Sequence, residues 1–377
     1  MFPRSGAAHA WRRCAALLLA LLFGTAARAE VVVGQVAPLS GPQAVTGKAI
    51  HSGAKLYFDS VNAAGGVRGH KIRFVARDDA QKPEETVRLV GEMIRKDAPV
   101  ALLGTVGTSN LEALAKDGVL ERTRVPMVGA ISGATSVARA AGMLVVKASY
   151  RDEVDRVFAS LAHLDVKRIG IVYQDDGLGK DVLAGANDSA RRHGIELVMS
   201  AGYPRNTTDT SAVVDKMLAA APQAIFLGAT TAAAIDFMGR YGDRGGAARI
   251  YGMSIIDTEA MLKALGPYRA RGYAFSSVLP LQTQTKLSVV REYMALRAAS
   301  QDPGLSARSI EGYIAAKALV WAMERASQIT PQGIAESMAR AGGFDAGGYW
   351  LDFSQPGRGG SRLVDFAMLG AGGRIIQ

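Results

Sequence analysis

Cysteine is nearly missing from this chain of 377 residues: Cys14 is the only one. A single thiol cannot close an internal disulfide, and it cannot furnish a cysteine-based zinc site. Histidine is scarce as well. Beyond the N-terminus, His51, His70, His163 and His193 are dispersed, and none stands four residues from another ligand. No metal is expected. The sequence lacks a Gly-x-Ser-x-Gly elbow, a His-Glu-x-x-His helix and a Gly-x-Gly-x-x-Gly turn after any apolar run. Zinc proteases, serine hydrolases of the elbow type and dinucleotide-binding folds lose their usual signatures. No nucleophile is paired with a base, so no catalytic residue and no cofactor are expected. Basic runs of the nucleic-acid type are absent too, since Arg191-Arg192 is only a pair. After the first thirty residues no stretch approaches the ~18 consecutive apolar residues of a membrane span.

The composition is otherwise that of a globular protein, 49% hydrophobic and 21% charged. The length suggests two domains. The N-terminus is different. Arg4, Arg12 and Arg13 precede the apolar run Cys14 to Phe23, and Ala27-Arg28-Ala29 follows it. A basic start, a short apolar run and small residues at a cut define a secretory signal over residues 1–29. Cys14 lies at the front of the run, where a lipoprotein cysteine would not stand. Removing the four arginines of this segment lowers the formal charge from +10 to +6. That excess is a solvated surface.

Along the rest of the chain, continuous apolar runs alternate with helical patterns. Val31–Ala37, Lys71–Ala76, Val100–Gly104 and Val125–Gly129 read as strands, and 42–63, 83–96 and 110–118 as helices. The rhythm restarts at a helix over 152–164. Strands follow at 168–173, 195–200, 223–228 and 249–252, with helices between them. Continuous apolar strands joined by helices mean parallel sheets covered on both faces, hence two α/β units. Longer helices are expected at 285–299 and 307–326. A glycine-rich tail with short strands near 349–353 and 362–369 could cross back between the units.

Gly41 to Ala49 resembles a phosphate loop. The spacing is wrong, Ala49 replaces the hydroxyl that would hold magnesium, and Pro42 removes an amide. An ordinary strand-to-helix turn is expected. The acid pairs Asp78-Asp79 and Asp175-Asp176 follow strands, where aspartates usually cap or turn. Ser109 and Glu112 have capping-box spacing, and Thr135 can cap the next helix. Two such helix starts side by side, at the carboxyl edge of parallel strands, offer amides, hydroxyls and positive dipole ends. A carboxylate could be held there without lysine or arginine.

Pro38-Leu-Ser-Gly-Pro42, Asn62-Ala-Ala-Gly-Gly-Val-Arg-Gly69, Arg77-Asp-Asp79, Ser132-Gly-Ala-Thr135 and Gln174-Asp-Asp-Gly-Leu-Gly179 together resemble a known family. The chain is similar to periplasmic solute-binding proteins of ABC importers, in the branched-chain amino acid (leucine/isoleucine/valine) binding family. The resemblance covers essentially all of the chain after residue 29. It implies the type I periplasmic binding protein fold, two doubly wound parallel-sheet lobes joined by three hinge crossovers near Ala148, Leu279 and Gly360. Residues 30–148 and 279–360 would form one lobe, and 149–278 and 361–377 the other. A small-molecule ligand would be clamped between them. By position, Thr108 or Ser109 and the turn Ser132, Ala134, Thr135 would hold a ligand carboxylate. Thr46 stands where an aromatic is common. Tyr150, the loop from Asp176 to Leu178, Thr230 and Ser254 would face the cleft from the other lobe.

Amino acid binders of this family carry an acid near the position of Ser254, which pairs with the ligand ammonium. Serine cannot do that, and a buried ammonium without a counter-charge is costly. Either Asp176 takes the role, or the ligand is a simple carboxylate or an amide. The resemblance further implies ABC permease subunits in the inner membrane as partners, a periplasmic location and a monomer, with no nucleic acid. A ligand-sensing module of the same fold, not coupled to transport, is the alternative reading.

Overall fold

The computed structural model describes residues 30–340, 342–355 and 357–377. The expected leader, with Cys14 and its arginines, lies outside the described residues. Among the described residues no helix is long and apolar enough to cross a membrane.

Two α/β bodies are present. The first is built on β1 (Glu30–Ala37), β2 (Lys71–Asp78), β3 (Ala101–Leu103), β4 (Met127–Val128) and β5 (Met143–Leu144). All pairings are parallel, in the order β2-β1-β3-β4-β5. The second is built on β6 (Arg168–Gln174), β7 (Glu196–Tyr203), β8 (Ala224–Gly228), β9 (Arg249–Gly252) and β10 (Ala274–Ser277). The short hairpin β11 (Phe344–Asp345) and β12 (Trp350–Leu351) stands apart from both sheets. The chain then returns to the second sheet as β13 (Asp365–Leu369) and β14 (Ile375–Ile376), both antiparallel. The parallel part of this sheet runs β7-β6-β8-β9-β10. That is the order of the first sheet repeated, second strand outside the first and then the third on its far side. Each sheet therefore reverses its winding once, between β1 and β3 and between β6 and β8, and leaves a crevice there at the carboxyl ends of its strands.

The strands are buried as their composition requires. β8 is buried along its whole length, and β1 over its last five residues. The helix Ser309–Arg325 is buried almost all round, with Tyr313, Leu319 and Met323 at 1% exposure or less. The expected one-sided stripe is there, but the opposite side is covered too. It packs against the helix Ala44–Ala63 of the first body, and Gly312 and Gly53 let the backbones approach. A Cβ at Gly47 would lie 1.9 Å from the Pro38 carbonyl. That close approach, rather than a bound phosphate, is what the glycine of the Gly41–Ala49 turn permits.

The chain passes between the bodies three times. At the passages, the Tyr349 hydroxyl lies 2.8 Å from the Val146 carbonyl and 2.9 Å from that of Val278. The Gly360 amide donates to Val145 at 2.7 Å. One tyrosine thus reaches two passages, and the third runs alongside.

Several boundaries differ from the sequence reading. The first helix begins at Ala44, two residues later than Pro42 suggests. Two helices, Thr258–Ala270 and Pro331–Arg340, carry no expectation from sequence. The first of them is broken at Gly266-Pro267, with Gly266 at φ 74°. That interruption destroys the periodic signal over the window in which it would be read.

Candidate functional site

The carboxyl ends of the two sheets face each other, and the residues just after β1, β3, β6 and β8 meet in a cleft. Its empty volume is about 470 Å³, including the solvent at its opening. Thr46 and Thr108 line it from the first body, and Tyr150, Asp176 and Thr230 from the segments leading into and forming the second. Gln43, Gln81, Gln174 and Arg308 also line it.

The first wall is neutral. The turn at Gly107, φ 106°, brings the chain into the helix Thr108–Asp117. A side chain there would collide with Gln81, 2.2 Å from its amide nitrogen, so glycine is required on both counts. The Thr108 hydroxyl lies 2.9 Å from that of Ser132. Ser132 in turn accepts from the Ala134 amide at 3.1 Å, so the second turn is held by the first. Behind them Gln35 donates to the Gly104 carbonyl and its Oε1 lies 2.8 Å from His51 Nδ1. Burial lowers the His51 pKa, which favours the neutral ring.

The second wall is ionised. Asp176 precedes the helix Gly177–His193 and accepts from the amides of Leu178 and Gly179 at 3.0 and 3.3 Å. The acid is the cap of this helix. It is also an ion-pair partner of Arg205, 3.3 Å away. Arg205 reaches across the cleft and donates to Asn110 Oδ1 at 2.5 Å and to the Gln81 carbonyl at 2.8 Å. Asn110 is fixed by Thr86 and the wholly buried Asp79. One arginine therefore ties the two bodies together at the cleft edge.

At the inner end lies a buried ionic cluster. Glu311 is shared by Lys147 at 2.7 Å and Arg308 at 2.5 Å, and all three are at most 4% exposed. Burial acts to raise Glu311, but Arg308 and Lys147 outweigh it and hold the carboxyl low. Lys147 is lowered by its burial. Arg308 also donates to the Ser254 carbonyl at 2.9 Å. Glu153, fully buried, accepts from the Ser254 amide at 2.8 Å and the Ser276 hydroxyl at 2.6 Å. Burial raises its pKa despite these bonds. Tyr150 is pushed up to about 12 by burial, so it presents a neutral hydroxyl.

Several sequence expectations change here. The Ser109–Glu112 capping box does not form, because the helix already begins at Thr108. Ser109 instead donates to Asp176 at 3.4 Å, and Glu112 accepts from Ser136 at 2.6 Å. Thr135 is the first residue of a four-residue helix rather than its cap, and its amide donates to Asp181. Ser109, Ser132, Ala134, Thr135 and Ser254 do not line the cleft cavity. Ser132 and Ala134 stand behind Thr108. Ser254 opens instead onto an adjoining space, beside the Glu153 carboxylate. Arg308 also lines the cleft, so a cation stands there together with the neutral amides and hydroxyls. Asp176 is committed to Arg205 and to its helix, and is not a free counter-charge. Sequence reasoning missed Arg205, Arg308, Gln81 and Gln174. The one available signal was Arg308 three residues before Glu311, an i,i+3 pair at the start of an otherwise apolar helix.

A family model described as periplasmic binding protein matches residues 30–374. A crystal structure of a substrate-binding periplasmic protein from Ralstonia solanacearum is 42% identical, with a TM-score of 0.89. The alignment covers 92% of this chain and 100% of that one. The Leu/Ile/Val-binding protein homolog 8 of Brucella abortus is 33% identical over 205 residues, 50% of this chain and 49% of that protein. The match thus spans about half the length of that curated relative. The fold alone is shared with a solute-binding protein of R. palustris crystallised with benzoate, at 18% identity, a TM-score of 0.80, and 92% and 95% of the two chains.

Proposed function

The chain belongs to the periplasmic binding protein family, whose relatives are binding proteins rather than enzymes, and from that premise we propose that it is the substrate-binding component of an ABC importer for a small carboxylate. It is exported by cleavage after Ala29, acts as a monomer in the periplasm, closes on its solute by hinge motion at the three passages, and delivers it to a membrane permease. It catalyses nothing.

One observation carries the choice of solute. The cleft has no acid free to neutralise an ammonium, whereas a buried arginine lines it. Asp176 is paired with Arg205. Glu153 accepts from Ser254 and Ser276, and burial favours its neutral form. Arg308 shares the Glu311 carboxylate with Lys147, whose charge burial disfavours. The Arg308 Nε is buried without a hydrogen-bond partner among the described residues, and a ligand carboxylate supplies one. On the opposite wall Thr108, Thr46 and the free amides of the helix start provide neutral donors.

Calorimetry with leucine and its des-amino analogue 4-methylpentanoate tests the reading. Tighter binding of the carboxylate is expected. At least tenfold preference for leucine would overturn the choice of solute and leave the family assignment untouched. Intact-mass measurement of the exported protein tests cleavage, and retention of Met1 to Ala29 would refute it.

A further inference from the structure

Arg308 is the boundary between the cleft and a second, larger space. This adjoining space has an empty volume of about 1070 Å³, including the solvent at its opening. Its walls are apolar: Ile256, Leu262 and Phe275 from the second body, Leu279 at a passage, Ile310 at the start of the long helix, and Ile375 of β14. Thr258, Ser276 and Ser277 add hydroxyls to the lining. At the inner end Arg308 Nε is buried with no hydrogen-bond partner among the described residues. At the outer end Gln282 Nε2 is in the same condition. Native proteins rarely leave such groups unpaired, and each unpaired group needs an explanation. Glu259, also on the wall, does not supply it, because its carboxylate is taken by Arg297 at 2.7 and 2.9 Å.

A space of this kind, walled largely by apolar side chains with an unpaired guanidinium nitrogen at its inner end, suits an amphipathic molecule. A free α-amino acid with a short side chain would leave most of it empty. We propose that this space is a second compartment of the binding site, which takes the apolar body of a carboxylate whose head is held at Arg308. The substrate class is then a medium-chain or aryl-substituted monocarboxylate. This rests on the anionic-solute reading above and narrows it.

The test is a calorimetric series of straight-chain carboxylates from butanoate to decanoate. Affinity should rise about fourfold per methylene while the chain is being buried, and then stop rising once the compartment is full. Thr283 lies at the exposed rim of the space and Ala307 on its half-buried wall. Thr283→Trp, and separately Ala307→Phe, should reduce the ratio of decanoate to butanoate affinity at least tenfold. Thermal unfolding confirms that each variant is folded. If butanoate binds but affinity is flat with chain length, or if neither variant changes the ratio, the compartment is refuted and the anionic-solute reading stands. If no member of the series binds, both fall.

Discussion

The two walls of the cleft solve the same problem with opposite chemistry. Both are loops after the strands that flank a winding reversal, and both open helices. On the first body the wall is hydroxyls, amides and glutamines, with Thr108 leaning on Ser132. On the second body it is a carboxylate and a guanidinium, Asp176 with Arg205, while Glu311 with Lys147 and Arg308 sits at the inner end, where the long helix packs on the first body. Equal topology therefore does not impose equal chemistry. A neutral wall recognises by direction, since hydroxyls and amides must be aimed. A charged wall recognises by net charge, and here nearly every ion is already spoken for. At the inner end the cleft is lined by Arg308, whose Nε has no hydrogen-bond partner among the described residues.

The largest effect should come from breaking the charged side. Glu311→Gln leaves Lys147 and Arg308 buried together without an anion. A loss of about 3–5 kcal/mol in unfolding free energy is expected, measured by urea denaturation. The double change Lys147→Met with Glu311→Leu should recover part of it, because Arg308 alone, rather than two cations, is then left buried without an anion. A single mutant as stable as the parent would mean that the cluster is solvated and the contrast between the walls is overstated.

The neutral side is broken by Thr108→Val, which keeps the shape and removes the hydroxyl. For a carboxylate ligand the loss should be about 1.5–3 kcal/mol of binding, roughly ten- to a hundredfold or somewhat more in affinity, read by calorimetry. An unchanged affinity would return Thr108 to a purely structural part in its turn.

Arg205 belongs to both walls, so its removal sharpens the comparison. Arg205→Met should weaken ligand binding by about tenfold, near the net value of a hydrogen bond to a charged group. It should also enlarge the radius of gyration of the unliganded protein in small-angle scattering. Asp176→Asn should be milder for a carboxylate, within about fivefold, because asparagine is as good a helix cap as aspartate. Abolition of binding by this change would point to an ammonium on the ligand.

The smallest effect concerns the support of the neutral wall. His51 has its folded pKa lowered from the ordinary 6.5, chiefly by burial, although Asp302 and Asp59 act to raise it. The folded state thus favours the neutral ring, and the unfolded chain takes up its proton first. Stability from this group is complete above about 6.5 and is lost as the pH falls from there toward the lowered folded value. His51→Gln should flatten the unfolding free energy between pH 7 and 5 relative to the parent. Parallel curves would show that the ring titrates alike in both states.

Much of the architecture was legible. Continuous apolar strands at regular intervals predict two parallel sheets, because a parallel sheet needs both faces covered. The motifs around Asn62, Asp78 and Gln174 pointed to the family. The cleft opens at the carboxyl edge, as expected, and Thr46, Thr108, Tyr150, Asp176 and Thr230 line its cavity. The capping reading of Ser109 and Thr135 failed for a local reason. Gly107, at positive φ, allows the first of these two helices to start two residues early, at Thr108; the second starts at Thr135 itself, and spacing rules shift with the start.

What the sequence by itself determined was what its local periodicities encode: strand, helix, turn and the alternation that dictates parallel sheets. The charge of the cleft was decided only by the tertiary structure. Arg205, Arg308, Lys147 and Glu311 come from segments remote in the chain, and none is unusual in its own neighbourhood. Electrostatic energy depends on distance and burial in space. A linear sequence shows neither, so an arginine that looked like solvated surface proved to be buried and to line the cleft.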